Sequence, residues 1–153
     1  GIRDVERSRG LGDVYKRQVH DFESSQNVSS KPVKFTLPGP LTVMDTTADC
    51  FYDDRPKLSR DLAETINKEI LSLVDAGCKY IQVDEPLFAR QLDDAFSFGM
   101  EGIERCFHGV PRDVIKIIHM CCIFNFTSRP GLQTRQSYQV NAGISTSCSC
   151  LSC

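Results

Sequence analysis

Between residues 31 and 122 the apolar positions fall into two periods, short strand-like runs and longer helical stripes, whereas both flanks keep neither. Val33–Leu37 (VKFTL) alternates as a strand does and runs into Pro38-Gly39-Pro40, which ends it and reads as a rigid turn. After a turn holding Asp53, Asp54 and Pro56, the spacing predicts a helix starting near Ser59 as N-cap. Its apolar stripe is Leu62, Ile66, Ile70, Leu73 and Val74, and Gly77 stands where a left-handed C′ residue would stop it. Lys79–Asp84 (KYIQVD) reads as a second strand, broken by Pro86. A second helix is expected over Asp94–Phe107 with Phe96, Met100, Ile103 and Phe107 on its buried face, although Gly99 and Gly102 weaken its propensity. Val114–Met120, inside the run Ile115–Cys122 (IKIIHMCC), is the third strand. Near-continuous apolar strands separated by helices imply an α/β fold with a parallel sheet covered on its faces. A (β/α)8 barrel and an open doubly wound sheet both satisfy this order.

The flanks divide the chain into three zones. Residues 1–30 are polar, rich in Arg and Ser, and are expected to be a leader that is adaptor-derived or disordered. Within them Asp13–Gln18 (DVYKRQ) can be encoded by GAT GTG TAT AAG AGA CAG, which resembles the transposon mosaic end used to make sequencing libraries, so Gly1–Gln18 is set aside from fold reasoning. Residues 31–122 carry the patterned core. Residues 123–153, rich in Ser, Thr, Asn, Gln and Gly, are expected to be an aberrant or disordered tail.

Composition narrows the function classes. A net charge of -2 over 153 residues provides no basic surface for nucleic acid and no patch for a membrane, so neither partner is expected. No apolar run is long enough to span a bilayer, and the N-terminus lacks a signal-peptide core. The eight cysteines do not form an evenly spaced disulfide framework, so reduced thiols and a cytoplasmic location are expected.

Chemistry collects where parallel α/β folds place it, at the C-terminal ends of the strands. Those ends carry Pro38-Gly39-Pro40, Asp84-Glu85-Pro86 and His119-Met120-Cys121. Strand alternation projects His119 and Cys121 to one side, about 6.6 Å apart along the strand, from which imidazole and thiolate can converge on one metal ion. A core histidine beside an inert buried cysteine gives the same spacing. Tyr80, Gln82 and Asp84 share one face of the second strand, where polar groups are costly unless they meet a partner or a ligand. Asp84 also fits a helix N-cap or a salt-bridge partner.

Three stretches, VKFTLPGPLTV, AGCKYIQVDEPLFAR and IIHMCC, together resemble the cobalamin-independent methionine synthase family, specifically its catalytic C-terminal barrel and the short single-barrel relatives. The related uroporphyrinogen decarboxylase family shares the barrel but lacks the His-x-Cys pair. The resemblance covers residues 31–122 and implies a partial (β/α)8 TIM barrel with about three strands visible. It further implies that His119 and Cys121 are zinc ligands and that Asp84 holds the amino group of homocysteine. Glu85 and Pro86 complete the turn without an assigned role. The implied reaction is methyl transfer from 5-methyltetrahydrofolate, as its polyglutamate, to homocysteine, giving methionine. Zinc holds the acceptor as a thiolate while its ammonium, facing Asp84, orients it.

The pattern breaks after Cys122, where a Gly-Tyr-Pro-like turn is replaced by Ile123-Phe124-Asn125-Phe126-Thr127. The Glu and second Cys that would complete the zinc shell find no counterpart. As written, the polypeptide is expected to be a fragment that lacks a stable, active barrel. Two other readings stay open. One is a related zinc-dependent thiol alkyltransferase with another acceptor. The other is a non-catalytic, thiol-rich metal-binding polypeptide using Cys148, Cys150 and Cys153.

Overall fold

The computed structural model describes residues 11–120 and 144–147 of the chain. Its elements run α1 (Leu11–Val28), β1 (Lys34–Pro38), α2 (Pro40–Asp45), α3 (Arg55–Asp75) and β2 (Tyr80–Asp84). A 3-10 turn (Pro86–Ala89) leads into α4 (Leu92–Asp94), a π turn (Ala95–Gly99) and α5 (Met100–Cys106), followed by β3 (Ile115–His119) and β4 (Ile144–Ser147). The four strands form one parallel sheet in the order β1-β2-β3-β4. This is the expected α/β architecture, a segment of a (β/α)8 barrel wall. No helix among the described residues is long and apolar enough to cross a membrane.

Strand alternation sorts the sheet into two faces. Leu37, Ile81, Val83 and Ile118 point to the helices and are fully or almost fully buried. Lys34, Thr36, Tyr80, Gln82, Asp84 and His119 lie on the opposite face by the same alternation and register. The helix-side core is closed by Ile66, Ile70 and Leu73 of α3 and by Ile103 of α5.

Helix α3 begins earlier than its apolar stripe suggests. Asp54, not Ser59, is the N-cap, and its carboxylate accepts from the Lys57 backbone N–H at 3.0 Å. Ser59 is buried inside the helix, beside the place where a side chain on Gly102 of α5 would sit. The helix ends as expected. Gly77 is left-handed at φ 96°, its N–H bonds Val74 O, and the N–H of Cys78 bonds Leu73 O, the paired bonds of a Schellman stop.

The second expected helix exists, but its buried face is displaced. One extra residue in the π turn rotates the downstream register, so Phe98 points into the core and Phe96 is 64% exposed. Gly99 is needed there because a Cβ would lie 2.9 Å from the ring of Phe88. Met100 packs at the margin, while Ile103 and Phe107 are buried as the spacing predicts.

Two findings differ from the sequence reading at the flanks. The leader expected over residues 1–30 contains α1. Within it, Phe22 is 3% exposed and meets the Phe35 ring edge-on at 6.5 Å, and Gln26 Oε1 accepts from Val33 N–H at 2.9 Å. Among its described side chains, Phe22 and Val19 pack on the core and the Gln26 amide ties the helix to the chain entering β1, anchors that do not form a full periodic stripe. In the tail, β4 extends the sheet beside β3, with Ser147 paired to His119. Backbone hydrogen bonding recruits that segment, so its polar sequence gave no apolar signal.

The π turn yields a direct check by equilibrium urea denaturation. Phe98→Ala is expected to cost about 3 kcal/mol or more, as for a core phenylalanine. Phe96→Ala is expected to cost about 1 kcal/mol or less. The reverse order would show a regular α-helical register through residues 95–99.

Candidate functional site

The three strand ends are tied together by hydrogen bonds that continue the parallel ladder past its last paired residues. Gly39 N–H donates to Asp84 O at 2.8 Å, and Glu85 N–H donates to His119 O at 2.9 Å. Pro38, Asp84 and His119 therefore lie in one row across β1, β2 and β3, confirmed by the pairings Pro38↔Asp84 and Asp84↔His119. Adjacent strands are about 4.8 Å apart, so the Asp84 carboxylate and the His119 imidazole leave neighbouring positions on the same face. Both side chains are half-buried.

Beneath that row sits Glu85, fully buried. Its Oε1 accepts from Leu41 N–H at 2.8 Å and Thr42 N–H at 3.4 Å, and its Oε2 accepts from the Thr42 hydroxyl at 3.0 Å. These donors open α2, so the carboxylate of one strand end satisfies the orphan amides of the next. The Pro38-Gly39-Pro40 segment, expected as a plain rigid turn, is instead the start of that helix with Gly39 as its N-cap. Gly39 packs so closely on Glu85 that any Cβ would overlap the carboxylate. Burial pushes the Glu85 carboxyl up to about 7, opposed by the hydrogen bonds from Thr42 and Leu41. Sequence reasoning assigned Glu85 no role. The signal available was its place beside Asp84 in the same turn as a Pro-Gly-Pro strand end, but nothing local announced its burial.

Asp84 itself is held by a neighbour on its own strand. Gln82 Nε2 donates to Asp84 Oδ1 at 2.6 Å, and Lys34 Nζ of β1 donates to Gln82 Oε1 at 2.5 Å. Gln82 and Asp84, two of the three polar residues singled out on this face, thus meet partners. The other candidates are only partly within view. His119 ends β3, while Cys121 and the cysteines Cys148, Cys150 and Cys153 lie outside the described residues. The described residues contain no group of three or more His, Cys, Asp and Glu side chains able to hold a metal ion. Among the described residues, His119 supplies one imidazole at a strand end, a donor of the kind zinc takes.

The remaining described cysteines are separate from this row. Burial raises the Cys78 thiol, and burial together with the nearby Glu85 carboxylate pushes Cys106 up to about 12, so both stay protonated. Cys50 is exposed and free.

The chain is similar to known proteins over about two thirds of its length. The family model described as the catalytic domain of cobalamin-independent synthase matches residues 8–101. A methionine synthase of Saccharolobus solfataricus is 35% identical over 104 residues, covering 67% of this chain and 30% of that protein. The methionine synthase of Sulfurisphaera tokodaii is 32% identical over a stretch of the same length. Among solved structures, a B12-independent methionine synthase from Shewanella sp. W3-18-1, in complex with selenomethionine, superposes with a TM-score of 0.64 at 34% identity. That match covers 67% of this chain and 30% of the other. A putative vitamin-B12-independent methionine synthase from Listeria monocytogenes shares the fold with a TM-score of 0.56 at 21% identity. The chain spans about 30% of the length of the curated relatives it matches.

Two measurements test the packing of Glu85. Gly39→Ala is expected to destabilise the fold by about 2 kcal/mol through overpacking. In the Glu85→Ala background that cost is expected to shrink by about 1 kcal/mol, because the overlapping carboxylate is gone. Additive costs in urea denaturation would show that the two residues do not meet. The second test is pH. A carboxyl whose folded pKa is about 7, above its ordinary 4.5, stabilises the folded state most below 4.5, and that contribution is lost as pH rises through about 7. Glu85→Gln is expected to flatten this slope, an effect of at most about 3 kcal/mol between about pH 4 and pH 8.

Proposed function

The chain belongs to the cobalamin-independent synthase family, within its catalytic domain, and on that premise we propose that it supplies the strand-end rim of a methionine-forming methyltransferase. The proposed reaction moves a methyl group from 5-methyltetrahydrofolate, carried as its polyglutamate, to the sulfur of homocysteine. The carbon–sulfur bond forms as the bond from the methyl carbon to the folate nitrogen breaks. The observation that supports it is the pairing of Asp84 with His119 at the ends of β2 and β3, on the face away from the helices.

Each residue has a distinct task in this reading. Asp84, half-buried and anchored through Oδ1 by Gln82, accepts the acceptor's ammonium and so fixes the direction of its thiol. His119, with Cys121 two positions on, holds zinc. When bound, the ion supplies the Lewis acidity that keeps a thiol deprotonated near neutral pH. The backbone bonds Gly39–Asp84 and Glu85–His119 set the spacing between the ammonium site and the sulfur site. A small acceptor with both groups on one short chain matches that spacing. We further place the protein in the cytoplasm, in line with its free, protonated buried thiols.

The assignment is tested with the full-length protein that carries this segment, supplied with zinc and methyltetrahydrofolate. Methyl transfer to homocysteine is expected, and Asp84→Ala is expected to lower kcat/KM for it by about 100-fold. His119→Ala is expected to reduce bound zinc, measured by metal analysis, as well as activity. Transfer only to a thiol that lacks an amine would overturn homocysteine as the acceptor. Unchanged zinc content in His119→Ala would remove His119 from the metal site.

A further inference from the structure

We propose that Lys34 and Gln82 act as positioning residues for Asp84, a hydrogen-bonded row across β1 and β2 that makes the site select an acceptor bearing a primary amine. The inference rests on the reading of Asp84 as the ammonium ligand and adds to it the two residues that orient that carboxylate. The row starts from Lys34, whose ammonium can only donate, and ends at Asp84, whose ionised carboxylate can only accept. Between them Gln82 has one compatible orientation, with Oε1 toward Lys34 at 2.5 Å and Nε2 toward Asp84 at 2.6 Å. Both ends of the row impose the same amide direction, so a flipped Gln82 would oppose donor to donor and acceptor to acceptor.

Geometry gives the row its effect on selectivity. Gln82 is 8% exposed between the flanking strands, and Lys34 and Asp84 lie to either side of it on the same sheet face. The amide engages Oδ1 of Asp84, and among the described residues no other group bonds Oδ2. A carboxylate held by one oxygen loses little further freedom when an ammonium binds the other. The charge of Lys34 also polarises the amide, which strengthens its bond to Asp84. An amine-free thiol makes no use of this arrangement, so the row contributes to discrimination rather than to general affinity.

The test is equilibrium binding to the zinc-supplied full-length protein that carries this segment, comparing homocysteine with 4-sulfanylbutanoate, the same skeleton without the amine. The unsubstituted chain is expected to prefer homocysteine, and Asp84→Ala to erase the preference. Gln82→Met is expected to cut the preference by about tenfold and Lys34→Met by about threefold, with the affinity for 4-sulfanylbutanoate unchanged. Lys34→Arg, which keeps the donor, is expected to retain it. Lys34 is exposed, so its variants separate the effect from any loss of fold in Gln82→Met. If Asp84→Ala erases the preference while the Lys34 and Gln82 variants leave it intact, the row is overturned and the reading of Asp84 stands. If the unsubstituted chain shows no preference, or Asp84→Ala leaves it unchanged, the reading of Asp84 fails and the row fails with it. Equal loss of both ligands in Lys34→Met would assign the row a structural role only and would also overturn it.

Discussion

Parallel strands run out of partners at their ends, and this chain solves that shortage with two backbone hydrogen bonds beyond the ladder. Gly39 N–H to Asp84 O and Glu85 N–H to His119 O carry the sheet's register one residue past each strand. Asp84, Glu85 and His119 are each attached to a residue that takes part in one of these two bonds. The chemistry is therefore held by main chain, which has few soft degrees of freedom, rather than by loop conformation. Glu85 completes the arrangement by sending its carboxylate under the neighbouring connection, where it satisfies the first amides of α2.

The cost of that arrangement is a carboxyl buried with no cation beside it among the described residues. Three donors surround it, yet desolvation outweighs them and keeps its proton affinity high. Asp84, one residue earlier and on the opposite face, is only half-buried. Two consecutive acidic residues thus divide their tasks by strand alternation: one side chain enters the helix layer and the other faces the open side. Replacing the pair in reverse order would not be equivalent, because the shorter carboxylate could not reach the same amides.

Much of this was legible in the sequence, and the failures have physical causes. The strands were found within one or two residues because Phe35, Leu37, Ile81, Val83 and Ile118 alternate as period two requires. The stop of α3 at Gly77 was legible because only the left-handed region suits that turn. Its start was not, since Asp54 caps through a local hydrogen bond that leaves no trace in the apolar stripe. Phe96 was misplaced because a π turn breaks the period of 3.6 on which the assignment depended. The family resemblance placed Asp84 and His119, and the sheet brings them together. Glu85 escaped notice because its partners, Leu41 and Thr42, lie more than forty residues away. The strand β4 escaped because backbone pairing carries no composition.

The π turn has a consequence for how this segment tolerates changes in length. A helix wound with one surplus residue between Ala95 and Gly99 already stores an insertion. Excising one residue there would convert the local winding to the ordinary α form while keeping Ile103 and Cys106 in phase with α3. The same deletion in the uninterrupted turns of α3 would rotate every downstream side chain by about 100°.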